Sequence, residues 1–199
     1  MHRRLRSIGS HSSRSLPAHP AYNHPMRPLA ALLFLIVASG PVAAAPLTDV
    51  VAVTAGGWHT CARQRSGRLW CWGWNGLGQL GTGSSEVGSG PAAVTPVGGA
   101  TAVVAGRDHT CALGARGEVR CWGMNDHGQL GLGAGKPSYP FPPPVRTPTR
   151  VTGLKAPRGI ALGAWHSCAV TAAGGVSCWG LARHGQVGPQ AVGEAVSAP

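Results

Sequence analysis

A motif written three times dominates this chain. Gly106 to Gly131 reads GRDHTCALGARGEVRCWGMNDHGQLG. Gly56 to Gly81, fifty residues upstream, and Gly163 to Gly188, fifty-seven downstream, keep the same spacing of Gly, His, Cys, Cys-Trp-Gly and Gly-Gln-x-Gly. Self-similarity at a period near fifty marks a solenoid, a propeller or an array, in which each unit buries its faces only by stacking on a neighbour.

Within each unit the two cysteines are ten apart, with a glycine between them. If the cysteines face each other across an antiparallel pair, the chain reverses over Arg65-Ser66-Gly67, Ala115-Arg116-Gly117 and Ala172-Ala173-Gly174. Glycine is third each time, where such a loop needs a left-handed backbone angle. Opposed residues in an antiparallel pair have Cα atoms about 4.5–5.5 Å apart, which overlaps the reach of a disulfide. The expected bridges are therefore Cys61–Cys71, Cys111–Cys121 and Cys168–Cys178. Two other readings stand beside them: free thiols, and a zinc site built from His-x-Cys and the second cysteine. Metal ligands usually lie closer in sequence, and an oxidising compartment favours bridges.

Trp72-Gly73, Trp122-Gly123 and Trp179-Gly180 follow the second cysteines. Adjacent strand residues point to opposite faces, so each tryptophan shares a face with the small Ala62, Ala112 or Ala169. Large against small on both faces suits sheets stacked on either side. Sugar stacking on this tryptophan row is the competing role; packing is preferred because the row recurs in register with the structural glycines Gly56, Gly106 and Gly163. His59, His109 and His166 recur with no nucleophile or carboxylate at a useful spacing, so we read them as structural, bonding backbone near the strand start. Asn75, Asn125, Gln79, Gln129 and Gln186 are expected to tie down loop backbone. The third copy has Leu181-Ala182 in place of Trp74-Asn75 and should turn more loosely, or be a degenerate end unit.

The run G-x-x-H-[TS]-C-A, then C-W-G-x-N, then G-Q-L-G resembles the regulator of chromosome condensation repeat in its cysteine-bearing, secreted bacterial form, the alpha-tubulin-suppressor-like type. That resemblance implies an all-β fold and β-propeller blades, usually seven to a ring. With core units at 50–81, 100–131 and 157–188, the expectation is a partial β-propeller of about three four-stranded blades, as an open arc or a fragment of a seven-bladed ring. The resemblance is specific for fold and says little about activity.

Residues 1–25 are polar and basic, and 26–45 have the form of a signal peptide: Met26-Arg27, an apolar run from Leu29 to Ala38, then small residues up to Ala45. We read 1–25 as a mis-assigned or long basic extension, with translation from Met1 or Met26, and 46–199 as the repeat region. The apolar run is short for a membrane span. The formal charge of +11 falls to +6 past Ala45, with 12 Lys and Arg against 6 Asp and Glu. Arg63, Arg65 and Arg68, with Arg116 and Arg120, cluster at two hairpin tips, which we read as solvated tips in preference to a nucleic-acid patch. Val50–Ala55 and Ala100–Ala105 look like strands buried on both faces. Residues 82–99 read as a Gly-, Ser- and Pro-rich connector, and 132–149 as a Pro-rich insertion.

Function is less constrained. The preferred reading is a non-enzymatic extracytoplasmic module, in the periplasm, on the cell surface or in the medium, that binds a protein or an anionic cell-surface polymer. No cofactor, metal or catalytic residue is assigned, and a nucleic-acid partner is disfavoured. The alternatives are a guanine-nucleotide-exchange type of regulator, by analogy with the family, and a propeller lyase or hydrolase whose site is not visible in this chain. Three units fall short of a closed ring, which points to self-assembly or to missing blades.

Overall fold

Eleven strands, and no helix among the described residues, make up the structure, a computed structural model that describes residues 46–133 and 143–188. The first sheet runs β1 (Val50–Ala55), β2 (His59–Gln64), β3 (Leu69–Gly73) and β4 (Gly88–Ala93). The second runs β5 (Ala100–Ala105), β6 (His109–Gly114), β7 (Val119–Gly123) and β8 (Val145–Arg150). The third holds β9 (Pro157–Leu162), β10 (His166–Thr171) and β11 (Val176–Gly180), so it has three strands, not four, among the described residues. All neighbours in each sheet are antiparallel.

The hairpins form where the glycines require them. Gly67, Gly117 and Gly174 take φ of 83°, 74° and 84°, a region costly for any residue with a Cβ. Cys61 then pairs with Cys71, Cys111 with Cys121 and Cys168 with Cys178. All three pairs are disulfides, with Cα atoms 4.1 Å apart, and no described cysteine is free. The zinc and free-thiol alternatives therefore do not apply.

The sheets stack through unlike faces. Cys61, Leu69 and Cys71 of the first sheet pack with Val103, Ala112 and Trp122 of the second. Cys111, Val119 and Cys121 of the second pack with Ala169 and Trp179 of the third. Trp122 and Trp179 are completely buried. Removing one such side chain from water stabilises by about 5 kcal/mol before ordering entropy is counted.

One expectation needs correction. Val50–Ala55 and Ala100–Ala105 are not buried on both faces: β5 alternates, and β1 is largely exposed, because it is an edge strand of the first sheet and no described sheet covers its Val53 side. The connector 82–99 contains β4. The stretch 132–149 ends in β8, which begins at Val145. Proline fits both strands because each is the edge of its sheet and owes a ladder hydrogen bond on one side only. Residues 134–142 and the leader assigned to 1–45 lie outside the described residues.

Candidate functional site

The repeated residues form a clamp between sheets. Thr110 Oγ1 donates to the Gln79 carbonyl at 2.9 Å. A carbonyl only accepts, so the hydroxyl proton is committed there and Thr110 Oγ1 receives its second bond from His59 Nε2 at 2.8 Å. Trp122 Nε1 donates to the same carbonyl at 2.9 Å. The next interface repeats the pattern: Ser167 Oγ and Trp179 Nε1 donate to the Gln129 carbonyl at 2.8 and 3.0 Å, and His109 Nε2 reaches Ser167 Oγ at 3.0 Å. His59 and His109 thus bond a hydroxyl of the following repeat, not backbone near their own strand start. The reason is the stacking, which brings the hydroxyl of the neighbouring sheet within 2.8–3.0 Å of the ring.

His59 and His109 therefore carry a proton on Nε2, while their Nδ1 atoms are buried without a partner, so burial favours the neutral ring at both. Burial lowers the pKa of His59 to about 4. Burial, with His59 and His166 nearby, lowers that of His109 to about 3. Burial also lowers His166. The glycines make room for the clamp. A Cβ on Gly56, Gly106 or Gly163 would run into the following histidine ring, and one on Gly81 or Gly131 would come within 2.6 Å of Trp122 or Trp179 Nε1. The amides brace the turns: Gln79, Gln129 and Gln186 Oε1 accept from the N–H groups of Leu77, His127 and His184. Asn75 and Asn125 Oδ1 accept from Leu80 and Leu130. In the third copy buried Ala182 replaces the asparagine, so that brace is missing.

The clamp carries a rim on which the copies differ. Trp74, Met124 and Leu181 donate their N–H groups to the carbonyls of Trp58, Asp108 and Trp165, at 2.9, 3.0 and 2.8 Å. Gly73, Gly123 and Gly180 allow this close passage, with φ of 105–108°; a Cβ there would lie 2.5–2.6 Å from those same carbonyl oxygens. Each repeat therefore sets two variable segments side by side on one rim. Together they line a groove of about 660 Å³ that spans all three repeats.

Trp58, Trp74, Leu77, Met124 and Trp165 give the groove its apolar wall. Trp58 is 69% exposed. Arg107 lies 5.1 Å from the Trp165 ring centroid and its Nε is 3.3 Å from Asp108 Oδ2. Burial raises the Asp108 carboxyl pKa against the opposing pull of Arg107. Burial raises that of Asp126 as well; His127 opposes the shift and Asp108 reinforces it. Among the described residues, no group of three or more His, Cys, Asp or Glu is placed to hold a metal ion. Aromatic faces with a few paired charges are what a binding surface needs. Sequence reasoning missed this groove. Its signal was the pair of residues before each repeated histidine (Gly57-Trp58, Arg107-Asp108, Ala164-Trp165), which change while their frame does not.

Two models of the regulator of chromosome condensation (RCC1) repeat match the chain, one at residues 50–79, 100–129 and 158–186, the other at 66–113 and 116–170. A comparison with curated proteins found no match. Among solved structures, yeast RCC1 (Prp20) bound to Kap60 superposes with a TM-score of 0.67 at 22% identity, over 76% of this chain and 36% of that one. Prp20p from Saccharomyces cerevisiae, described with its binding to Gsp1p and histones, gives 0.68 at 22% identity, over 76% and 37%. Human WBSCR16 gives 0.59 at 24%, over 66% and 33%. The chain spans about a third of the length of these structures. Its three sheets are blades of a partial β-propeller.

Proposed function

The chain belongs to the regulator of chromosome condensation (RCC1) repeat family, and from that premise we propose that it is a non-enzymatic, extracytoplasmic module whose rim groove binds a protein partner. The observation that carries this reading is the convergence of the variable positions of all three repeats on one aromatic groove, inside a frame that otherwise repeats. Rims and loops set on a rigid scaffold are where binding residues concentrate. The yeast relative, described as binding Gsp1p, histones and Kap60, supports a protein as the ligand class. Three disulfides support an oxidising compartment, in keeping with the signal peptide we assign to residues 26–45.

A photo-crosslinking amino acid at Trp58 tests the site in cells. It should give one discrete protein adduct, which is lost when Trp74→Ala and Trp165→Ala are added. The same probe at Val87, equally exposed but away from the groove, should give none. Equal adducts at both positions would overturn the assignment. A reporter fused after residue 45, active only outside the cytoplasm, tests export.

A further inference from the structure

The two outer flanks of the described array are the two halves of the interface it uses internally. Val103, paired with Ala112, is 7% exposed beneath the first sheet; its counterpart Val53, paired with Ala62 on the tryptophan face of the first sheet, is 69% exposed. Trp72 and Thr60 on that face are half-buried, whereas Trp122, Trp179, Thr110 and Ser167 are fully buried. At the other end, Val119 is 1% exposed and its counterpart Val176, on the disulfide face of the third sheet, is 66% exposed. Val170, paired with Val176, is exposed as well.

The turn that seats the next tryptophan is also left open. A Cβ on Gly81 or Gly131 meets a tryptophan indole, while one on Gly188 meets nothing within 4 Å. One flank thus presents the aromatic half of the interface and the other the hairpin part of the receiving half, Val170, Val176 and the bridge; the connector residues Val94 and Val151 of the internal interfaces have no counterpart among the described residues.

We propose that these flanks dock onto each other between copies of this chain, head to tail. The first sheet of one copy seats on the third sheet of the next. By equivalence with the two internal interfaces, the incoming Thr60 and Trp72 donate to the Gln186 carbonyl, and His166 Nε2 donates to Thr60. Val53 and Trp72 cover Val170, Val176 and the Cys168–Cys178 bridge. The occupant is a second copy because the contact continues an interface this chain already makes twice. A contact between unlike surfaces leaves one free end on each side, so it closes into a ring or extends as a filament. This docking uses neither the rim groove nor its partner, so it stands or falls apart from the function proposed above.

Sedimentation of the full, disulfide-bonded chain provides the test, using Val53→Glu and Val176→Glu, both at exposed positions. The wild-type mass should rise with concentration in whole multiples of the chain. Each variant alone should remain a single chain, because each lacks one half of the contact. An equimolar mixture of the two should give a species of two chains and nothing larger, through the one intact pair of flanks. Wild type that stays a single chain overturns the proposal, as does a variant that associates alone or a mixture that stays apart. Trp58→Ala, on the rim, should leave association unchanged, and its loss there would also overturn it. Trp72→Arg and Val170→Glu replace the first pair if either fails to form its three bridges.

Discussion

Trp122 and Trp72 occupy the same place in the repeat and should respond differently to loss. Trp122→Ala removes a fully buried indole together with its bond to the Gln79 carbonyl, a change that costs about 3–5 kcal/mol. Trp72→Ala, on a half-buried side chain at the outer flank, should cost well under half of that. Urea midpoints of the two variants, measured where copies are apart, check the contrast; equal losses would contradict the stacking order. The repeat told us which residues matter structurally and could not tell these two apart. The same limit explains His59. Its partner Thr110 lies fifty-one positions away, and nothing local says which neighbour a sheet turns its ring toward. Gly67, Gly117 and Gly174 were legible because their constraint is local, a backbone angle inside one loop.

The hairpin is the element that the sequence displays most fully, since opposed cysteines, loop length and loop glycine all agree on one register. Its bridge closes a short loop and limits the unfolded chain. Replacing Cys111 and Cys121 together with serine should lower stability by about 2–4 kcal/mol while the other two bridges still form, as chemical denaturation and non-reducing mass mapping would show. Linkage of cysteines from different repeats would contradict the register. The edge strands β4 and β8 were not legible. They carry Gly88, Gly90 and Pro91, or Pro148, residues that read as connector. These strands pair through backbone on one side only, so small or proline residues are tolerated where a central strand would reject them. The rim groove was hidden for another reason: it is made of what differs between the copies, and the search for a repeat discards differences.

Taken whole, the array behaves as a one-dimensional stack in which each sheet depends on its neighbours. Both internal interfaces are held by a neutral, buried histidine. In the unfolded chain a histidine takes up a proton near pH 6.5, whereas folded His59 and His109 resist protonation down to about 4 and about 3. The unfolded state therefore binds more protons between these limits, and stability falls as pH drops from 6.5 toward 4. Each tenfold loss of proton affinity on folding corresponds to about 1.4 kcal/mol, so the two histidines together amount to several kcal/mol. Denaturant titrations at pH 7.5 and 4.5 should show the loss, and His109→Gln should flatten the dependence. An unchanged midpoint would mean that the clamp is not neutral.

Because every disulfide begins and ends inside one hairpin, no covalent bond counts how many repeats the chain contains. Recombination that copies or deletes a whole repeat adds or removes cysteines two at a time and strands no thiol. Oxidative folding of such a protein needs no reshuffling between distant partners, since each bridge can close as soon as its own hairpin has formed.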